Sequence, residues 1–195
     1  MAPTFYVFVL VACLSGCAIP IVEHRPAESI KVARDTGVLN EVRRLGRDGD
    51  WLVIRGYHVT DNLVATLTNT PLSHAAVLDI TKDQVIEAES AGVHLSTLPQ
   101  FVAKSHRLLL IRPVWSDEKT SVEALQKARA LVGKKYDFLG LIGLNVPDSF
   151  YCSELTLAIY LPYIPKAQII PRPDEPGQLY FWGRILFDSG IPPDR

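Results

Sequence analysis

A block of short β-prone segments in the middle of the chain constrains the fold more than any other feature. One predicted helix precedes the block, and further helices follow it. Strands that come in one run, without regular alternation with helices, are typical of α+β proteins with an antiparallel sheet. Strands are predicted at residues 51–54, 73–80, 84–88, 92–95, 107–114 and 182–187. The 107–114 segment is continuously apolar, which indicates a central strand.

Hydrophobic periodicity predicts the helices and the faces that they bury. The predicted helices cover residues 28–45, with a break near Gly37, and residues 60–67, 97–104, 117–132 and 152–161. The 60–67 helix is expected to turn Leu63, Val64 and Leu67 inward. The 117–132 helix is expected to turn inward Val122, Leu125, Ala128 and Val132.

The N-terminus has the pattern of a targeting segment. Residues 5–14 form an apolar run that is too short to span a bilayer as a helix, which needs about 20 residues. The run ends in Leu14-Ser15-Gly16-Cys17, which resembles the bacterial lipoprotein signal, where cleavage precedes an acylated cysteine. An ordinary cleaved signal or a short anchor is the alternative. Residue 18 is not Asp, and by resemblance to lipoprotein sorting this favours the outer membrane of the cell envelope, facing the periplasm.

These features predict residues 1–16 as a signal peptide, residues 17–28 as a lipidated Cys17 with its tether, and residues 29–195 as one domain. The chain has 20 Lys plus Arg against 21 Asp plus Glu and no long basic run, so no nucleic-acid partner is expected. Of the three cysteines, Cys13 would leave with the signal and Cys17 would carry lipid. Cys152 would then have no disulfide partner.

Cys152 lies in the first turn of a predicted helix, with Asp148 and Ser149 as candidate capping residues. The positive end of a helix dipole favours a thiolate over a thiol, which makes Cys152 a candidate nucleophile. Helical spacing also puts Cys152 on one face with Leu155 and Ile159. A small residue of the core is therefore the alternative.

A nucleophilic cysteine needs a nearby base, and His74 is the best candidate. It opens a predicted strand, with Ala76 two residues on along the same face. A two-residue turn after this strand would pair Ala76 with Glu87, which puts Glu87 diagonal to His74 and Glu89 directly opposite it. Either carboxylate could orient the ring, so the register leaves both open. No metal is expected, because no His or Cys pair has zinc-site spacing, and no cofactor motif is present.

Several motifs in order resemble the YaeF/YiiX group of circularly permuted papain-like enzymes, which are related to NlpC-type cell-wall peptidases. They are Gly49-Asp50-Trp51-Leu52, Ser73-His74-Ala75-Ala76-Val77, Glu87 with Gly92-Val93, Tyr136-Asp137, and Tyr151-Cys152-Ser153-Glu154-Leu155. The resemblance implies a small antiparallel sheet or half-barrel packed against a helix that carries the nucleophile. The resemblance runs from about Gly49 to about Leu161, and more weakly to Pro176, within the predicted hydrolase domain of residues 29–195.

The resemblance also implies roles for individual residues. Cys152 would be the nucleophile, His74 the base and then the acid, and Glu87 rather than Glu89 the orienting carboxylate. The backbone N–H of Cys152 would donate to an oxyanion. Tyr151 and Ser153 would line the substrate pocket.

The expected activity is that of a thiol hydrolase, an amidase or peptidase, on an amide or ester of the envelope such as a peptide, a cell-wall fragment or a lipid. One alternative is acyl hydrolysis or transfer on lipids, with residues 138–146 as a lipid-facing lip; burial of this segment in the core is the competing interpretation. The other alternative is a non-catalytic envelope binding module.

Overall fold

The structure is a computed structural model that describes residues 23–140, 143–144, 146–170 and 174–191. The predicted signal peptide and Cys17 lie outside the described residues. Among the helices that are described, none is long and apolar enough to cross a membrane.

The part of the chain that the structure describes contains eight strands, and six of them form one antiparallel sheet. The strands are β1 (Trp51–Gly56), β2 (His74–Asp79), β3 (Gln84–Glu89), β4 (Gly92–Thr97), β5 (Ser105–Pro113), β6 (Lys135–Tyr136), β7 (Ser149–Phe150) and β8 (Gly183–Asp188). The order in the large sheet is β4-β3-β2-β1-β5-β8, and β6 and β7 form a short parallel pair. The predicted α+β fold with an antiparallel sheet is confirmed.

Within the described residues, five α-helices pack around this sheet. They are α1 (Glu28–Leu45), α2 (Val59–Thr68), α3 (Leu98–Ala103), α4 (Glu118–Ala130) and α5 (Cys152–Ala158). Short 3-10 turns cover Ile80–Lys82, Leu161–Tyr163 and Pro176–Trp182. The expected break at Gly37 is wrong, since α1 runs through it without interruption.

Both faces of the central strands are buried, which explains the continuous apolar runs at residues 51–54, 75–78 and 108–111. On β1, Trp51 and Val53 face the cluster that contains residues of α4 and α5. Leu52 and Ile54 face the opposite cluster, which contains residues of α1 and α3. The sheet is therefore the middle layer, with helices on each side.

The predicted inner face of α2 is wrong, and that of the 117–132 helix is confirmed only in part. In α2 the buried residues are Asn62 and Ala65, whereas Leu63 is 57% exposed and Leu67 is 75% exposed. The fully buried guanidinium of Arg55 donates to Asn62 Oδ1 at 2.6 Å, and this polar contact turns the other face of α2 outward. In α4, Leu125 and Ala128 are buried as predicted together with Ser121 and Ala124, but Val122 and Val132 are exposed.

The loop before β1 joins the sheet to the end of α5. Gly49 has φ +82°, and a Cβ there would lie 2.8 Å from the hydroxyl oxygen of Tyr160. That hydroxyl donates to the carbonyl of Gly49 at 3.1 Å. A left-handed backbone and a close contact both favour glycine at this position. The contact holds the chain just after α5 against the start of β1.

Candidate active site

One edge of the sheet collects the residues that the sequence suggested for chemistry. His74 is the first residue of β2, Glu89 is the last residue of β3, and Cys152 is the first residue of α5. Because neighbouring strands run antiparallel, the start of β2 lies beside the ends of β1 and β3. We call this end of the strands, where His74, Glu87, Glu89 and Cys152 lie, the catalytic edge of the sheet.

His74 and Glu87 are hydrogen-bonded at the catalytic edge. The predicted pairing of Ala76 with Glu87 is confirmed, although the turn is a short 3-10 helix. His74 Nε2 donates to Glu87 Oε2 at 2.7 Å, whereas Glu89 Oε1 is 3.8 Å from the same nitrogen. The Glu87 side chain is fully buried and that of Glu89 is 42% exposed. The geometry therefore favours Glu87 as the partner of the ring.

Cys152 supplies the second partner of the His74 ring. It is a free cysteine with 6% of its surface exposed, and it lies close enough to His74 for hydrogen bonding and charge interaction between the two side chains to raise the pKa of His74. His74 shares a face of the sheet with Ala76 and Phe101, whereas the helix of Cys152 packs on the opposite face. His74 and Cys152 therefore approach each other around the catalytic edge of the sheet, from opposite faces.

The surroundings of His74 favour the imidazolium form. Burial lowers the pKa of His74, but its hydrogen bonds to Cys152 and Glu87, together with the charges of these two residues, outweigh burial and raise the pKa to about 10. A protonated histidine next to a cysteine stabilises the thiolate, which is the nucleophilic form of the side chain. The arrangement can therefore hold a thiolate–imidazolium pair.

Glu87 has two further partners that the sequence analysis missed. Ser96 donates to Oε1 at 2.5 Å, and Lys104 Nζ donates to Oε2 at 2.6 Å. Burial raises the pKa of Glu87, but His74 and Lys104 outweigh it and hold the pKa below its ordinary value. Ser96 lies two residues from the cross-strand partner of Glu87, so a longer β4 in the prediction would have found it. Lys104 follows α3, and no local pattern places it here.

The Lys104 ammonium joins both glutamates of the catalytic edge. Its Nζ atom lies 2.6 Å from Glu87 Oε2 and 2.6 Å from Glu89 Oε1. Burial lowers the pKa of Lys104, but the two carboxylates outweigh burial and hold the pKa above its ordinary value. The ammonium group therefore stays charged. Lys104 thereby balances two nearby negative charges.

Replacing Lys104 by methionine is expected to leave this pair of carboxylates without its ammonium. The free energy of unfolding should fall by about 2 kcal/mol, because two close anions then lack a shared cation. Urea denaturation at pH 7 measures the change. Lys82→Met, at an exposed position, is the matched control and should change the free energy by less than about 0.5 kcal/mol. Equal values for the two variants would contradict the role of Lys104.

Comparison with known proteins agrees with this geometry. A family model described as "Permuted papain-like amidase enzyme, YaeF/YiiX, C92 family" matches residues 47–171, which is more than half of the chain. The chain belongs to this family. Family members are cysteine peptidases and amidases, so the chain is a cysteine hydrolase. No curated protein matches the chain.

A solved member of this fold is similar in structure. The crystal structure described as metalloprotein yiiX from Escherichia coli O157:H7 matches with a TM-score of 0.52 and 23% sequence identity. The match covers 62% of this chain and 67% of that chain. The likeness supports the permuted papain-like fold.

Two residues expected to line a substrate pocket have a different place in this family member. The Tyr151 hydroxyl donates to Asp174 Oδ1 at 2.5 Å, and Ser153 Oγ donates to the Asp174 carbonyl at 2.5 Å. Tyr151 is 3% exposed and Ser153 is fully buried. These two hydrogen bonds attach the chain at Asp174 to the start of α5. The pocket-lining expectation does not match this placement, because neither hydroxyl faces open space.

The expected capping residues of α5 are also elsewhere. Tyr151 occupies the capping position, and no side chain caps the helix there. Asp148 accepts from Lys134 at 2.8 Å, and Ser149 donates to the carbonyl of Val146 at 2.7 Å. The helix begins later than a cap at Asp148 or Ser149 requires, because β7 continues the extended chain to Phe150.

The Tyr136-Asp137 motif shapes the chain beside the thiol. Burial, followed by the charges of Cys152, Glu89 and Asp137, raises the pKa of Tyr136, which shows that its ring is close to the catalytic edge. Asp137 accepts from the backbone N–H of Gly140 at 2.7 Å and of Val146 at 3.0 Å. These bonds hold a loop of which the described apolar side chains are exposed: Phe138 at 61%, Leu139 at 50%, Leu144 at 58% and Val146 at 36%. For the described apolar residues of this segment, burial in the core is therefore wrong.

Proposed function

We propose that the chain is a cell-envelope thiol hydrolase that cleaves an amide through an acyl-enzyme on Cys152, with His74 and Glu87 completing a triad. One observation carries the proposal: a buried imidazole is hydrogen-bonded to a buried carboxylate, and the free thiol of Cys152 lies close enough to the same ring to raise its pKa. The pattern of nucleophile, base and orienting group is that of acyl transfer.

The first step forms the acyl-enzyme. The Cys152 thiolate attacks the substrate carbonyl carbon, a carbon–sulfur bond forms, and the carbonyl electron pair moves to oxygen. The backbone N–H of Cys152 is at the first helical position, where amides have no partner within the helix, so it is suited to bind this oxyanion. The His74 imidazolium then gives its proton to the leaving amine as the carbon–nitrogen bond breaks.

The second step releases the product. His74, now neutral, takes a proton from water as the water oxygen attacks the thioester carbon. The carbon–sulfur bond breaks, the acid product leaves, and the thiolate–imidazolium pair re-forms. Glu87 remains ionised throughout, since Lys104 and Ser96 stay bonded to it, and its charge stabilises the imidazolium.

The experiment that tests this proposal measures the reactivity of the thiol and then the reaction. At pH 6, free cysteine is almost entirely in the unreactive thiol form, whereas a thiolate stabilised by the His74 imidazolium can react. Cys152 should therefore react with iodoacetamide at least about tenfold faster than free cysteine. Peptide mapping by mass spectrometry assigns the adduct to Cys152 and not to another cysteine. Release of peptides from cell-wall fragments is the expected activity. Labelling no faster than that of free cysteine would contradict the thiolate and with it every hydrolase assignment.

A second candidate is acyl hydrolysis or transfer on lipids by the same triad. The exposed Phe138, Leu139 and Leu144 beside Tyr136 favour it, because an apolar rim suits an acyl chain. Release of fatty acid from phospholipid vesicles, with no peptide released from cell-wall fragments, would select this candidate over the amidase.

The envelope location is part of the proposal and rests on the sequence around Cys17. We propose lipidation of Cys17 and attachment to the outer membrane facing the periplasm. An amide- or ester-containing molecule of the envelope would then be the substrate.

A metal does not fit the carboxylates of the catalytic edge. The solved relative is described as a metalloprotein, and ligand atoms of His74, Glu87 and Glu89 lie within 4.8 Å of one another. However, the Lys104 ammonium is bonded to both glutamates, where a divalent ion would need their oxygens, and two cations there would repel each other. The proposed reaction therefore uses no metal.

A further inference from the structure

Helix α2 turns an uncharged apolar surface toward solvent. Val59, Leu63 and Leu67, which we call the α2 stripe, are spaced one helical turn apart and are 82%, 57% and 75% exposed. The single charged residue of the helix, Asp61, is bonded to the backbone N–H of His58 and to the hydroxyl of Ser73. An ordinary surface helix has the opposite arrangement, with polar residues toward water.

Buried polar contacts hold α2 in this orientation. Asn62 faces the domain and accepts from the guanidinium of Arg55. The Asp61 carboxylate accepts from Ser73 Oγ at 2.7 Å, and Ser73 in turn accepts from the Gly56 N–H at 3.0 Å. Rotating the helix to bury the α2 stripe would break these bonds. The exposure of the stripe is therefore built into the fold.

The α2 stripe lies beside the catalytic edge. The helix connects the end of β1 to the start of β2, and Asp61 is bonded to Ser73, the residue that precedes His74. Tyr57 precedes His58, the capping residue of α2, and donates its backbone N–H to the carbonyl of Lys104 at 3.3 Å. Any surface that the stripe contacts is thus close to the mouth of the site.

The start of the described chain is fastened to the same region. Glu23 lies 3.6 Å from the guanidinium of Arg55 and 3.3 Å from His106 Nε2. The guanidinium of Arg25 lies over the ring of Tyr57, at 5.5 Å from its centroid. Tyr57 is two residues from Val59, so the tether reaches the domain next to the first residue of the α2 stripe.

The length of the tether decides what covers the stripe. Cys17 precedes Glu23 by six residues, which span at most about 20 Å when fully extended. A lipid on Cys17 would hold the membrane surface within this distance of the point where Glu23 contacts Arg55. An uncharged apolar helix face at that distance matches the interfacial region of a bilayer.

We propose that the α2 stripe lies in the lipid–water interface of the membrane to which Cys17 is anchored, so that the catalytic edge faces the bilayer. The inference rests on the proposed lipidation of Cys17. Phe138 and Leu139 are exposed on the loop that follows Tyr136, and they add apolar side chains near the catalytic edge. A substrate would then reach Cys152 from the membrane surface.

Tryptophan placed on the stripe tests the proposal. Mature, lipidated protein carrying Leu63→Trp is reconstituted in phosphatidylethanolamine–phosphatidylglycerol vesicles, with and without lipids brominated near the headgroup. Emission from residue 63, after subtraction of the protein with its native tryptophans, should fall at least about twofold with brominated lipid. Val122→Trp, on the exposed face of α4, is the matched control and should not change. Adding Val59→Ser and Leu67→Ser to Leu63→Trp should reduce the quenching by at least half.

The possible results distinguish failure of the membrane contact from failure of the Cys17 lipid anchor on which it rests. Palmitate incorporation that is lost on Cys17→Ser, together with no quenching at residue 63, would overturn the membrane contact and leave the anchor intact. No palmitate incorporation would overturn both. A blue-shifted, unquenched residue 63 that becomes exposed on dilution would show a second copy on the stripe and also overturn the proposal. The iodoacetamide reaction of Cys152 reports the hydrolase independently of all three results.

Discussion

Replacing Cys152 by alanine is expected to abolish hydrolysis of the substrate while the fold is retained. The value of kcat/KM should fall by at least about 10³-fold, because water and the remaining groups cannot replace a covalent nucleophile. The free energy of unfolding should change by only about 1 kcal/mol, since one buried sulfur atom is lost. Steady-state kinetics on the identified substrate and urea denaturation measure the two effects.

The serine variant separates nucleophilicity from packing. Cys152→Ser keeps a small hydrogen-bonding side chain at the first position of α5 and should be nearly as inactive as the alanine variant, since a hydroxyl ionises far less readily than a thiol. Alkylation at residue 152 should disappear in both variants. Retention of more than about a tenth of the wild-type kcat/KM in either variant would exclude Cys152 as the nucleophile.

Replacing Glu87 by glutamine is expected to have the second largest effect. The amide oxygen can still accept from His74 Nε2, but the negative charge is lost, so the imidazolium is less stable. We expect kcat/KM to fall by about 10²-fold or more. Glu89→Gln is the matched control: its carboxylate lies 3.8 Å from the ring and is 42% exposed, and we expect a change of less than about threefold. A larger effect at Glu89 than at Glu87 would reverse the assignment.

The Glu87→Gln variant should also change how the free energy of unfolding depends on pH. The pKa of His74 is raised from 6.5 to about 10 in the folded protein. A raised pKa means that the protonated ring contributes fully to the free energy of unfolding below pH 6.5, and that this contribution is lost as the pH rises through about 10. Without the charge of Glu87, the folded-state pKa of His74 should fall from about 10 toward 6.5, so the contribution below pH 6.5 should be smaller and its loss should be complete at a lower pH. NMR titration of the His74 ring and denaturation between pH 6 and pH 10 measure both shifts.

The sheet and the pairing that forms the candidate site could be predicted from local patterns. Alternation along β2 and β3, with a short turn between them, was enough to pair Ala76 with Glu87 and so to bring Glu87 near His74. Order and spacing of the motifs were enough to indicate the family. These features depend on residues that are close in sequence or on a pattern that covers most of the chain.

The faces of the helices were harder to predict, because periodicity assumes that apolar residues face inward. In α2 this assumption fails, since Arg55 is buried and requires Asn62 as its partner, which leaves Leu63 and Leu67 in solvent. The apolar segment with Phe138 was misjudged for a similar reason: Asp137 binds the backbone of the loop and holds it at the surface. A local rule cannot anticipate a buried polar group elsewhere in the fold.

The amino-acid sequence by itself determined the antiparallel α+β fold, the family, and the cysteine, histidine and two glutamates as candidates for chemistry. Strand register left both glutamates open and the family resemblance implied Glu87; the tertiary structure supports that choice, since Glu87 is buried at 2.7 Å from His74 and Glu89 is partly exposed. Only the tertiary structure brought Lys104 to both carboxylates and showed Cys152 to be close to the His74 ring. The physical reason is that distances among side chains from β2, β3, α3 and α5 depend on how the helices pack against the sheet, and no local pattern contains that packing.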